Sequence, residues 1–209
     1  MKKIFVILLS ITFIATLGGF VQNKQEKQNM YVILTGGPGG GKSSVLEVLR
    51  NKGYLCVDEV ARDLIKEEVA ANGDALPWKN TEKFRDNMFR EQVKVYESTN
   101  HDGIVFFDRG LVDCIAYSRL IGANIPENMD QISREVKFNK LVFVTPPWED
   151  IYQNDEERKQ SFQEAIETYD QIVAAYREYG YETVDLPKVS VEDRVDFILV
   201  KLGIKDECT

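Results

Sequence analysis

The chain has 209 residues, 44% of them apolar, which is enough to bury one ordinary core without disulfides or a structural metal. Its 26 basic and 34 acidic residues leave a net charge of −8, which disfavours a general nucleic-acid binder that draws its affinity from neutralised phosphates. Any phosphate must be held locally. Cys56, Cys114 and Cys208 have neither the paired spacing of a zinc site nor the even count of a secreted disulfide framework, and reduced thiols in a cytoplasmic protein fit them.

Residues 1–29 stand apart. Lys2 and Lys3 precede an apolar run from Ile4 to Leu17 that has the form of a secretory h-region or signal anchor. It falls short of the roughly 20 apolar residues a spanning helix needs. No A-x-A-like cleavage site succeeds it, and a polar stretch from Gln22 to Asn29 leads into Met30. Two readings stand. Either the segment anchors or exports the rest of the chain, as the charge rule for orientation implies, or it is an appendage before a natural start at Met30. A membrane partner is expected only if residues 1–29 are retained.

From Met30 onward, short apolar runs alternate with longer amphipathic stretches, the pattern of an α/β domain with a parallel sheet covered by helices. Strands are expected at Tyr31 to Thr35, Tyr54 to Val57, Ile104 to Phe107, Leu141 to Thr145 and Glu182 to Asp185. Helical spacing of apolar residues appears at Val45, Leu46, Val48 and Leu49, again at Phe84, Met88 and Val95, and from Phe162 through Ile166, Tyr169, Ile172, Val173 and Tyr176. Val191 to Leu202 reads as a closing helix. Gly53 and Gly180 sit where helix C-terminal glycines belong. No repeat or second linker appears after Met30, so a single domain over 30–204 with a tail at 205–209 is expected.

Gly36-Gly37-Pro38-Gly39-Gly40-Gly41-Lys42-Ser43 satisfies G-x-x-x-x-G-K-[ST] at every fixed position, between an expected strand and an expected helix. Glycine lets backbone N–H groups turn in around phosphate oxygens, an approach side chains would block. Lys42 can reach the β and γ phosphates, Ser43 can place its hydroxyl on Mg²⁺, and Ser44 comes next on the helix whose positive end faces the anion. ATP with magnesium is the expected ligand. Asp108 ends the apolar run Ile104 to Phe107, where a parallel strand brings a carboxylate beside the cradle to hold the metal's water shell. Motor ATPases often have glutamate directly after this aspartate, which polarises water, whereas Arg109 suits the steadying of a phosphoryl group. No Asn-Lys-x-Asp guanine clamp is present, which disfavours a GTPase.

Taken together, the cradle, Asp58-Glu59-Val60-Ala61-Arg62, Phe107-Asp108-Arg109-Gly110 with Asp113, and Pro147-Trp148 with Asp155-Glu156-Glu157-Arg158 resemble the NadR-like P-loop ATPase/kinase family. That group is related to nicotinamide riboside, deoxynucleoside and thymidylate kinases. The resemblance implies a doubly wound three-layer sandwich with a five-stranded parallel sheet of order 2-3-1-4-5, ATP and Mg²⁺ as ligands, and a mobile lid carrying arginine. The Arg109-Gly110 pair departs from the riboside kinases, so their substrate does not carry over.

On this reading Lys42, Arg109 and Arg158 supply charge to the transferring group. Arg158 would belong to the lid, although a charged, solvated helix start reads equally well from the residues alone. Glu59 lies just after the second strand and can take an acceptor proton. Asp58 competes for that role, and a surface pair of Glu59 with Arg62 is the plainer alternative. The substrate side comprises Asp58, Glu59, Arg62, Trp78, Phe84, Arg85, Gln92 and Asp113; of these, Phe84 also has the spacing of plain core. Tyr169, Tyr176 and Tyr179 read as half-buried packing, and His101 as a loop residue. The expected partner is a small-molecule acceptor, nucleoside- or nucleotide-like, phosphorylated from ATP. The alternative is a binding or regulatory module that takes ATP or GTP with little turnover.

Overall fold

The computed structural model describes residues 29–152 and 161–204. The apolar N-terminal run, the charged stretch that carries Arg158 and the last five residues lie outside the described residues. In chain order the elements are β1 (Met30–Gly36), α1 (Lys42–Asn51), β2 (Leu55–Val57), α2 (Val60–Ala70), α3 (Thr81–Ser98), β3 (Ile104–Asp108), α4 (Leu111–Leu120), α5 (Glu127–Glu135), β4 (Leu141–Thr145), a 3₁₀ turn (Glu149–Ile151), α6 (Phe162–Glu178), β5 (Glu182–Asp185) and α7 (Val191–Lys201). The strands fall where the apolar runs predict them. Tyr54 is the exception, because its N–H closes the turn after α1 on the Leu49 carbonyl and leaves β2 to begin at Leu55.

All neighbouring strands run parallel, in the order β2-β3-β1-β4-β5. Two-residue alternation divides the strands between two apolar layers. Val32, Leu34, Phe106 and Phe143 face α1 and α7 through Val45, Leu46, Leu49, Val195 and Ile198. Ile33, Val142 and Val144 face α4 and α6 through Leu111, Ile115, Ile172 and Tyr176. Each fully buried side chain of this kind contributes about 1.5–3 kcal/mol, so the sheet's centre is held firmly on both faces.

Three helices, α2, α4 and α5, lie outside the apolar spacings noted in the sequence. In α4, Leu111, Val112, Cys114, Ile115 and Ala116 are all buried because the helix is wedged among α3, α5 and α6. A helix surrounded by protein is apolar all round and shows no stripe. The short α5 has the opposite composition, with only Met129 and Ser133 buried. Gly53 and Gly180 adopt φ of 93° and 86° one residue beyond the caps of α1 and α6, the left-handed position that glycine tolerates without strain. No helix among the described residues is long and apolar enough to cross a membrane.

Strand register positions the site. Leu34 of β1 lies opposite Asp108 of β3, and Val57 of β2 lies opposite Phe107. The chain leaving β2 at Asp58-Glu59 therefore emerges level with Asp108-Arg109. Gly36 lies opposite Thr145 of β4, so the glycine loop begins at the sheet's carboxyl edge. Successive crossovers diverge there, which is where ligands bind in open α/β sheets.

Candidate functional site

The loop from Gly36 to Gly41 is pressed against its surroundings as well as open to a ligand. A side chain at Gly36 or Gly40 would collide with the Thr145 hydroxyl, and one at Gly37 would come within 2.9 Å of the Ala165 carbonyl oxygen. Gly39 has φ of 73° and lies against the Tyr152 ring. Lys42 is buried and folds back over the loop, donating from Nζ to the carbonyls of Gly36 and Gly37 at 3.1 Å each. Its ammonium thus lies inside the cradle. Ser43 and Ser44 are exposed on the first turn of α1, and no side chain caps that turn, the arrangement in which a helix N-terminus accepts an anion.

Asp108 is buried, and its Oδ1 has no hydrogen-bond partner among the described residues. Burial pushes its carboxyl above the ordinary range, Lys42 pulls it back, and Glu59 raises it again. A buried, unpartnered carboxylate oxygen at the mouth of a phosphate cradle fits a hard divalent cation. Ser43 offers the matching hydroxyl. Among the described residues no group of three or more His, Cys, Asp or Glu could hold a metal.

Arg109 anchors the other side. It has a φ of 74°, uncommon for a residue with a Cβ, and its N–H is fixed to the Leu34 carbonyl at 3.0 Å. Nε donates to Glu59 Oε1 at 2.6 Å, and Nη1 to the Gly36 carbonyl and Asp113 Oδ1 at 3.1 Å each. Burial works against the guanidinium's charge, but Glu59, Asp113 and Asp108 outweigh it and raise its pKa. Glu59, at the start of α2, also has Arg62 Nε at 3.8 Å. Asp58 pairs with Arg50 instead, and its side chain is 80% exposed. Of the two carboxylates after β2, Glu59 is therefore the one joined to the Asp108-Arg109 cluster.

Asp113 is saturated. Oδ1 accepts from the Thr35 hydroxyl and Arg109, and Oδ2 from the Gly110 N–H at 2.9 Å and the Tyr176 hydroxyl at 2.6 Å. With four donors on its four lone-pair sites, it locks β1, α4, α6 and Arg109 to one another. Burial, and then the Asp113 charge, push the Tyr176 phenol well above its usual range, so it stays a donor.

Gln92 joins Val57, Asp58, Phe107, Asp108 and Arg109 in the wall of a narrow crevice beside the cradle. Trp78, Phe84 and Arg85, expected on the substrate side, do not line it. Phe84 is buried edge-on against Tyr117 with ring centres 6.1 Å apart. Arg85 is buried too, donating to the Asn124 carbonyl at 2.9 Å and to Asp86. Trp78 is 61% exposed in the turn before α3. Tyr176, read from spacing as half-buried packing, is fully buried with its hydroxyl in the polar network. Tyr169 and Tyr179 bond Asp185 and Asp130. His101 is an exposed loop residue. Sequence reasoning passed over Thr35 and Arg194, which carry no motif.

This fold and glycine cradle are those of a P-loop NTPase with a kinase-like fold. A family model described as AAA domain matches residues 31–194, and the chain belongs to that family. No curated protein matches it. Among solved structures it is similar to a NadR protein in complex with NR, at 18% identity and a TM-score of 0.63, over 87% of this chain and 53% of that one. It thus spans about half the length of that protein. It is also similar to deoxyadenosine kinase from M. mycoides (15% identity, TM-score 0.59, 83% of this chain and 98% of that one). Thymidylate kinase from Ehrlichia chaffeensis is a further likeness (12% identity, TM-score 0.57, 84% and 98%). These likenesses establish the NadR-like P-loop kinase fold.

Proposed function

We propose that the protein is a Mg²⁺-dependent kinase that transfers the γ-phosphoryl group of ATP to a nucleoside- or nucleotide-like acceptor. The observation that carries the reading is Glu59, a carboxylate held by Arg109 beside the unpartnered Asp108 oxygen at the mouth of the cradle. Kinases are also among the proteins of similar fold. In the reaction, the acceptor oxygen bonds the γ-phosphorus as the bond to the β-bridging oxygen breaks, and the acceptor hydroxyl proton passes to Glu59. Lys42 leaves the loop carbonyls for the β and γ phosphates. Arg109 holds Glu59 through Nε and keeps its second amino group for the phosphoryl oxygens. Asp108 and Ser43 would hold Mg²⁺, whose bound charge supplies neutralisation of the triphosphate. Gln92 lies on the acceptor side, and Arg158, outside the described residues, would supply charge to the transferring group.

Incubating the protein with γ-labelled ATP, Mg²⁺ and a pool of nucleosides, nucleotides and riboside precursors should yield a labelled acceptor by mass spectrometry. Glu59→Gln is expected to lower kcat by about 10²–10⁴-fold, the usual worth of a positioned base, with ATP affinity unchanged. Arg158→Ala should likewise spare ATP binding and lower the transfer rate by about 10²-fold or more; unchanged transfer excludes Arg158 from the reaction. A second reading, a nucleotide-gated binding module, is favoured by the locking of Phe84 and Arg85 into packing and by the narrowness of the crevice. Tight ATP binding with no labelled acceptor across the pool would select it.

A further inference from the structure

Arg194, on α7, belongs to none of the groups above, yet it touches the cradle from behind. It is 4% exposed. Its Nε donates to the Val189 carbonyl at 3.1 Å, Nη1 donates to the Gly40 carbonyl at 3.1 Å, and its guanidinium lies 4.7 Å from the centre of the Trp148 ring. A Cβ on Gly41 would come within 3.0 Å of Nη1. Arg194 therefore ties together the glycine loop, the loop before α7 and the segment after β4. That segment also lays Tyr152 against Gly39 and Ile151 near Gly41.

Its environment sets Arg194 apart. The buried Arg85 is paired with Asp86, and Arg109 with Glu59 and Asp113. Among the described residues no carboxylate pairs with Arg194, whose partners are two carbonyls and a ring. Burial alone acts on it, lowering its pKa. A buried charge without a counter-charge is costly, and the cost is relieved when an anion arrives nearby. The Gly40-Gly41 peptide is trans, so fixing the Gly40 carbonyl on Arg194 turns the Gly41 N–H to the opposite side, away from Arg194.

We propose that Arg194 is a positioning residue of the nucleotide site: it sets the Gly40-Gly41 peptide and contributes the positive charge that a bound polyphosphate matches, with Trp148 shielding that charge from water. The inference rests on the proposed nucleotide binding. Calorimetric titration of the full chain with Mg-ATP, with circular dichroism to check folding, tests it. Arg194→Gln keeps a donor for one carbonyl and loses the charge, and is expected to weaken ATP about tenfold or more. Arg194→Lys keeps the charge, and its affinity should stay within about threefold of the parent. Absence of ATP binding by the parent chain would overturn the nucleotide reading, and this one with it. If the parent binds, an unchanged glutamine variant, or a lysine variant as weak as glutamine, overturns the role of Arg194 alone. Should the glutamine variant not fold, Trp148→Leu decides: opening the guanidinium to water should weaken ATP severalfold, and parental affinity overturns the proposal.

Discussion

Lys42→Ala is expected to weaken ATP binding about 10–100-fold, the worth of one or two charge-assisted hydrogen bonds, and to reduce phosphoryl transfer by about 10³-fold or more. The larger kinetic loss arises because charge builds on the phosphoryl oxygens during transfer, where a preorganised ammonium acts most strongly. The fold should survive. Lys42 Nζ bonds the loop carbonyls of Gly36 and Gly37, while α1 is held by Val45, Leu46 and Leu49 against the sheet. Calorimetry with Mg-ATP, a thermal melt and the labelled-acceptor assay measure the three quantities. A folded variant that retains turnover would sink the cradle assignment.

The glycine cradle and the strands were legible because they are local. Glycine spacing reports a backbone shape directly, and apolar runs of strand length report burial on both faces of a parallel sheet. Glu59 was legible only as one of two carboxylates, since the choice between it and Asp58 is made by the Val57–Phe107 register and by the pairing of Asp58 with Arg50. The helix α4 was hidden because burial on every side erases the 3.6-residue stripe. Tyr176 and Arg194 were hidden for a different reason. Tyrosine at helical spacing and arginine in the first turns of a helix are ordinary residues, and their partners Asp113 and Gly40 lie 63 and 154 residues away in sequence. Phe84 and Arg85 illustrate the converse: aromatic and cationic types suited to a nucleoside are also suited to joining α3 to α4, and here Tyr117, Ser118 and Asn124 take them.

Asp108→Asn sets function against stability, and the two effects should part company in one variant. In the parent, a buried carboxylate oxygen lacks a hydrogen-bond partner among the described residues, and burial raises the carboxyl's pKa above its ordinary range. A raised folded-state pKa means that the ionised form is disfavoured in the folded protein. The resulting penalty is absent below the ordinary carboxylate range, where both folded and unfolded chains are protonated, and develops as pH rises through the folded-state value. Asparagine has nearly the same shape and no charge. It is therefore expected to stabilise the ligand-free protein at neutral pH by on the order of 1–2 kcal/mol, with the gain fading as pH falls toward 3.8, the ordinary value. Chemical denaturation at several pH values reads this directly. The same change removes the charged oxygen offered to Mg²⁺, so the Mg²⁺-dependent part of ATP binding should fall about tenfold or more while binding without the metal is preserved or improved. A variant that is less stable at neutral pH, or that keeps the full Mg²⁺ dependence, would show that the Asp108 oxygen is satisfied within the protein. A more stable variant with the metal response lost would mean that the strain at Asp108 is carried for the ligand.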